Sequence, residues 1–182
     1  MTTVAAISAA LESAMKVLQG DLREELKAQG HYLTGKLHNS IKYEITKGVD
    51  TVVATIECED YGLAMELGIP IANIPYSGTT GAGGTSKYIQ GLITFFELRG
   101  LDGRDAIGAA FATANVQMAE GMPTLSSYQF SSNGERLGFA TTVLQRDLSI
   151  IEKILKGQVG LILSITFSEF IDEKMEPINF HV

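Results

Sequence analysis

Four carboxylates, Glu57, Glu59, Asp60 and Glu66, crowd into residues 57–66 of the chain. Two carboxylates held close together can divide acid and base roles, and several such oxygens can hold a hard cation. The same residue types also make an ordinary solvated acidic face. Strand alternation places Glu57 and Glu59 on one side, which would then face water or a lumen, and for the four carboxylates together a solvated acidic face is a more frequent outcome than acid-base chemistry.

The other reactive types are scattered. His31, His38 and His181 are the only histidines, and none has the i,i+4 spacing or the second cysteine that a zinc site needs. Cys58 stands alone, which excludes an intramolecular disulfide. Its place in the apolar register of a strand predicts a small buried hydrophobe rather than a nucleophile. Gly78 and Gly83 have the GxxxxG spacing of a phosphate loop, but Gly84 stands where lysine should follow and Lys87 is displaced. Serine, histidine and aspartate are all present without a nucleophile elbow to align them. These patterns predict no catalytic residue, no cofactor site and no metal site.

The elements that carry these residues follow from periodicity. Val4, Ile7, Leu11, Met15, Leu18, Leu22 and Leu26 recur at spacings of three and four, which predicts a helix over residues 3–29 stopped by Gly30. Glu12 and Lys16 form an i,i+4 pair on its wet side, with Arg23, Glu24 and Lys27. The period then becomes two. Ile41, Tyr43 and Ile45, followed by Val52, Ala54, Ile56 and Cys58, predict a hairpin joined through residues 46–50. A short helix over 61–67 is expected to end at Gly68, with Pro70 beyond it.

Residues 69–86 are rich in glycine, serine and threonine and read as a long surface loop, mobile in a free subunit and ordered by a partner. Two further helices follow, one carrying Tyr88, Ile89, Leu92, Ile93 and Phe96 and one carrying Ile107, Phe111, Ala114 and Met118. Asp102 is the expected N-cap of the second, Asp105 adds negative charge to its first turn, and Gly121 and Pro123 end it. Residues 124–140 read as irregular with a turn at Asn133 and Gly134. A helix over 142–156 presents Leu144, Leu148, Ile151 and Leu155 and stops at Gly157. A strand over 159–167 closes the pattern.

The chain has 182 residues, 45% of them hydrophobic, enough for a real core. Its formal net charge of -7 argues against wrapping nucleic acid, although an acidic wall suits a channel past which DNA slides without binding. The first residues lack the contiguous apolar run of a secretion signal, and the run over 159–167 is too short for a transmembrane helix. A soluble protein with no membrane partner is expected.

Thr34, Gly35, Leu37, Ser40 and Ile41 spell a T-G-x-L-x-x-S-I segment leading into the hairpin, and Tyr61, Glu66 and Gly68 spell Y-x-x-x-x-E-x-G after it. In this order, behind a long helix, they resemble the bacteriophage tail-completion or neck proteins that act as head-tail connectors. Segments 111–114, 120–124 and 131–136 are similar to divergent members. The resemblance implies an α+β fold, with a long N-terminal helix and further helices packed on a small mixed or antiparallel β-sheet with a projecting hairpin. It implies a single domain over 1–182, with the flexible insertion at 69–86 and a short tail at 172–182.

The function so implied is structural and not enzymatic: a virion protein, assembled in the host cytoplasm, forming a homo-oligomeric ring of roughly six or twelve copies. The ring would join the portal or adaptor to tail proteins, line the DNA exit channel and let DNA pass during ejection. Interface candidates are Ile41, Tyr43, Ile45, Val53 and Thr55 in the hairpin, Tyr76 and Tyr88 around the loop, and Ile162 and Thr166 in the last strand, because exposed strand edges recruit other strands. The alternatives are a minor tail or adaptor protein of the virion, or a small hydrolase using the carboxylates of 57–66.

Overall fold

A computed structural model describes residues 3–49, 51–78 and 85–159. The fold is α+β, with six helices and one two-stranded antiparallel sheet among the described residues. The helices are α1 (Thr3–Ala28), α2 (Lys36–Ser40), α3 (Gly62–Leu67), α4 (Lys87–Leu98), α5 (Gly103–Glu120) and α6 (Phe139–Val159). Strands β1 (Lys42–Lys47) and β2 (Val52–Glu57) form the hairpin, and two 3-10 turns cover Ile71–Asn73 and Leu125–Phe130. Among the described residues two compact units arise: residues 3–24, 39–58 and 140–159 form the first, and residues 25–38 with 59–139 the second.

In the first unit Leu11, Met15, Leu18 and Leu22 of the expected α1 stripe lie within the core, and Ile7 is half-buried. On the opposite side the Glu12–Lys16 ion pair forms at 3.2 Å. Arg23 does not stay on the wet face: it and Gln19 each donate to the Ile41 carbonyl at 2.8 Å, satisfying a buried acceptor before β1 begins. The hairpin pairs Tyr43 with Ile56 and Ile45 with Ala54, so the predicted alternation holds and these four share a half-buried face. The predicted helix boundary at Gly157 is overturned. Nothing there calls for a left-handed residue, and α6 runs on to Val159.

The face of α6 also differs from expectation. Val143, Asp147, Ile151 and Leu155 line the buried stripe, whereas Leu148 is exposed. Ile151 and Leu155 are buried as expected, while Val143 and Asp147 take the places expected for Leu144 and Leu148, the Asp147 carboxylate being hydrogen-bonded by Arg146. The strand expected over 159–167 lies outside the described residues, apart from Val159, the last residue of α6.

In the second unit α1 ends as predicted at Gly30, which adopts φ 74°. His31 N–H donates to the Leu26 carbonyl at 2.8 Å and Gly30 N–H to that of Lys27 at 2.9 Å, the paired bonds of a Schellman motif. Helices α4 and α5 pack through Ile89, Ile93, Ala106, Ala110 and Ala114, with Tyr76, Tyr88, Leu92, Phe96 and Phe111 around them. Alanine at every fourth position presents a smooth face that admits large side chains from the partner helix. The expected face through Ile107 is therefore displaced by one residue, and Ile107 is exposed. Asp102 takes the N-cap position without a side-chain cap bond.

Parts of the long loop make tertiary contacts. Ile69 and Met122 form a two-bond antiparallel bridge, Ile74 is buried and Tyr76 packs on the helical core. Residues 79–84 lie outside the described residues.

Candidate assembly interface

Residues 34–38 of the first segment that carries the resemblance meet the second segment within the second unit. In the first, Thr34 Oγ1 accepts from Lys36 N–H at 3.3 Å, and Leu37 is buried as α2 turns toward the hairpin. Lys36 then reaches the second: its Nζ lies 3.2 Å from Glu59 Oε2 and 5.9 Å from the centroid of the Tyr61 ring. An exposed pair of this kind is worth little by itself, and the same cation also faces the Tyr61 ring, so one lysine touches both segments. The Tyr61 carbonyl accepts from Ala64 N–H at 3.1 Å as α3 starts. The Glu66 carbonyl accepts from Gly138 N–H at 3.0 Å, and Gly68 closes α3 at φ 76°.

The interface candidates fall into three environments. Ile41, an interface candidate, is 1% exposed and belongs to the core just before β1, so its side chain is not available at a surface. Tyr43 and Ile45 are half-buried, while Val53, 55% exposed, and Thr55 occupy the open face of the hairpin. Tyr76 and Tyr88 pack against α4 and α5, and the Tyr88 hydroxyl donates to Gln117 Oε1. Burial raises the Tyr88 phenol from its ordinary pKa, with the Tyr76 phenol adding to the shift. Ile162 and Thr166 lie outside the described residues.

Among the acidic candidates, Glu57 and Asp60 are exposed, Glu66 is half-buried and Glu59 is engaged by Lys36. Register places Lys42 opposite Glu57, a pairing of opposite charges on the outer face of the hairpin. Cys58 is exposed, not buried as its register predicted, because β2 ends one residue earlier at Glu57.

A polar knot that sequence reasoning missed lies at the C-terminal end of α1. Gln29, fully buried, donates through Nε2 to Glu25 Oε1 at 3.0 Å and to the Leu137 carbonyl at 3.1 Å. Asn133 Nδ2 donates to the same Glu25 oxygen at 2.7 Å, and Arg136 Nη1 donates to the Gln29 carbonyl at 2.7 Å. Ser132 N–H donates to the Ala28 carbonyl at 2.7 Å. Segment 131–136 thus caps the terminal carbonyls of α1, which have no partners within the helix. The turn at Asn133 was readable, but the partners lie 103 to 108 residues away in sequence.

His31 joins the knot. Because the Arg136 carbonyl can only accept, the 3.1 Å contact places the imidazole proton on Nε2. Burial, then the Arg136 charge, lower its pKa to about 4, so it is neutral at physiological pH.

Among the described residues no group of three or more His, Cys, Asp or Glu side chains could hold a metal ion, and no helix is long and apolar enough to cross a membrane. An open depression along α6 is lined by Ser149, Glu152, Lys153, Lys156 and Gly157, with Glu152 and Lys156 paired at 3.0 Å. No protein-family model, curated protein or solved structure matches the chain.

Proposed function

We propose that this chain is a structural virion protein of the phage neck, forming a homo-oligomeric ring that joins the portal or adaptor to the tail and surrounds the DNA path. The observation that carries this reading is the joining of residues 34–38 to residues 59–68 through Lys36, Glu59 and Tyr61. These are the segments that resemble connector proteins, and their shared role here is mechanical. The open hairpin face with Val53 and Thr55 supplies a surface for a neighbouring subunit, and exposed strands favour such pairing. The exposed carboxylates Glu57 and Asp60, with a net charge of -7, suit a wall past which DNA slides.

Light scattering after size exclusion tests this reading on the purified protein, alone and mixed with the neighbouring connector protein. A closed hexamer or dodecamer is expected, either spontaneously or on the partner's ring. A monomer under every condition would overturn it.

A further inference from the structure

Asn133 is the one asparagine of the chain followed by glycine; the other four, Asn39, Asn73, Asn115 and Asn179, precede Ser40, Ile74, Val116 and Phe180. A peptide nitrogen can attack the carboxamide carbon of the asparagine before it, and glycine permits this best because it has no side chain to block the approach. Asn133 and Gly134 are both exposed, and a Cβ built on Gly134 would meet nothing within 4 Å. Among the described residues the Gly134 N–H donates no hydrogen bond, so its nitrogen is free to react.

The carboxamide is held ready for that reaction. Asn133 Oδ1 accepts from Ser131 Oγ at 2.7 Å and from Glu135 N–H at 3.1 Å, an Asx turn that folds the side chain back along the chain across Gly134. Two donors on Oδ1 also suit an oxygen that becomes negative as a nucleophile adds to Cγ.

We propose that Asn133 is a self-modification site: it deamidates through Gly134, and the carboxylate so formed releases segment 131–136 from the end of α1. The Gly134 nitrogen gives its proton to solvent base and bonds to Cγ. The Cγ–Nδ2 bond breaks, and the amide nitrogen takes up a proton and leaves as ammonia, closing a succinimide. Water then adds to one of the two imide carbonyl carbons and breaks its bond to the nitrogen, leaving aspartate or isoaspartate at position 133. Nothing is oxidised or reduced, and water is the sole co-reactant.

Glu25 gives the change its effect. Its side chain belongs to a residue that is 6% exposed, and its Oε1 accepts from Asn133 Nδ2 at 2.7 Å and from Gln29 Nε2 at 3.0 Å. Deamidation replaces the first donor with an acceptor, so two carboxylates face each other in place of a hydrogen bond, and they repel. That repulsion opposes the bonds that hold the segment on α1, from Ser132 N–H to the Ala28 carbonyl and from Arg136 Nη1 to that of Gln29. Every residue involved lies in the second unit, so the release operates whether or not subunits assemble.

The test begins with full-length wild-type protein, incubated in mildly alkaline and mildly acidic buffer and mapped over time by peptide mass spectrometry. Conversion of amide to acid is expected at residue 133 before any of the other four asparagines, and faster in the alkaline buffer, where more of the attacking nitrogen loses its proton. Conversion at Asn133 no faster than at Asn39 overturns the site.

Hydrogen exchange reads the consequence in aged wild type and in Asn133→Asp. In both, the Ser132 amide is expected to exchange about tenfold faster, the scale of a lost hydrogen bond to a charged group, while the Ala110 amide of α5 keeps its protection. Glu25→Gln added to Asn133→Asp sets a donor opposite the new carboxylate and is expected to restore slow exchange at Ser132. Wild-type exchange at Ser132 after deamidation, or no recovery with Glu25→Gln, overturns the release. Aged wild type, folded before it converts, gives this reading even where Asn133→Asp fails to fold on expression.

Discussion

Arg146 and Asp147 are consecutive on α6, yet their side chains fold back on each other: Nε donates to Oδ1 at 2.8 Å and Nη2 to Oδ2 at 3.2 Å. The Asp147 side chain is 2% exposed, in the middle of the buried stripe, whereas Arg146 is half exposed. The same guanidinium lies 3.9 Å from Asp21 of α1. Hydrogen bonds from Arg146 hold the Asp147 carboxyl below the usual carboxylate range, overcoming burial. Burial, then the hydrogen bond with Asp147, raise that of Asp21. On acidification the pair takes its first proton at Asp21, and Asp147 stays charged against Arg146.

Removing one member of this arrangement has asymmetric consequences. Arg146→Ala strands a buried carboxylate and is expected to cost about 2 kcal/mol at pH 7, below the cost of breaking a fully buried pair because solvent reaches Arg146. Asp147→Leu removes the charge and fills the stripe, and should fall within about 1 kcal/mol of wild type. Asp147 has a lowered pKa, so its contribution is present above the ordinary carboxylate pKa and disappears as pH falls through the lowered value. Asp21 has a raised pKa, so its contribution is present below the ordinary value and disappears as pH rises through the raised one. Urea denaturation at pH 7 and at pH 3 should therefore show the Arg146→Ala cost shrinking in acid. An equal cost at both pH values would mean that packing, not charge, sets it.

The His31 imidazole provides a second handle on pH. Its pKa near 4 lies below the ordinary histidine value of 6.5, so folding favours the neutral form. That stability is present above pH 6.5 and is lost as pH falls toward 4, amounting to about 2 kcal/mol once solvent screening of the part-exposed ring is allowed for. Histidine ring signals in NMR should place the His31 midpoint near 4, and an ordinary midpoint would show that the knot around Arg136 is open in solution.

How far these features could be read from the chain depends on the distance over which they are encoded. The α1 stripe and the hairpin register were legible because each repeats a single period many times within one segment. Helix α5 was misregistered because Ala106, Ile107, Ala110, Phe111 and Ala114 offer apolar character on more than one face, and only α4 decides which face is covered. In α6 a buried aspartate interrupts the apolar pattern, which misled the reading by one residue. The bridge from Ile69 to Met122, the stacking of Arg99 on Phe130 and the bond from Arg136 to Gln29 join distant positions, which no local spacing reveals.

The α5 register can be tested by two substitutions on neighbouring faces. Ala110 is fully buried against α4, so Ala110→Leu adds volume where none is free and should cost about 1–3 kcal/mol. Ile107 is 44% exposed, and Ile107→Ala should stay within about 0.5 kcal/mol. Thermal denaturation of both variants reads the difference; the opposite order would restore the face that sequence spacing alone suggested.

Gly68 ends α3 and hands the chain to the Ile69–Met122 bridge, and its conformation leaves no room for a side chain. With φ 76° and ψ -177° it occupies a region that is essentially reserved for glycine and costs alanine about 1–3 kcal/mol. A Cβ there would also lie 2.5 Å from the Met122 carbonyl oxygen, the acceptor of the 2.7 Å bond from Ile69 N–H. Backbone rather than a flexible side chain obstructs it, so relief requires the bridge itself to shift. Gly68→Ala is accordingly expected to destabilise the second unit by about 2 kcal/mol or more, combining backbone strain with a weakened bridge. Hydrogen exchange separates these contributions: the Ile69 and Met122 amides should lose protection, while the Ala106–Ala110 turn of α5 keeps most of its own. Unchanged protection at Ile69 would show that the chain enters the bridge by another route, and that the glycine of the Y-x-x-x-x-E-x-G segment serves a purpose other than closing α3.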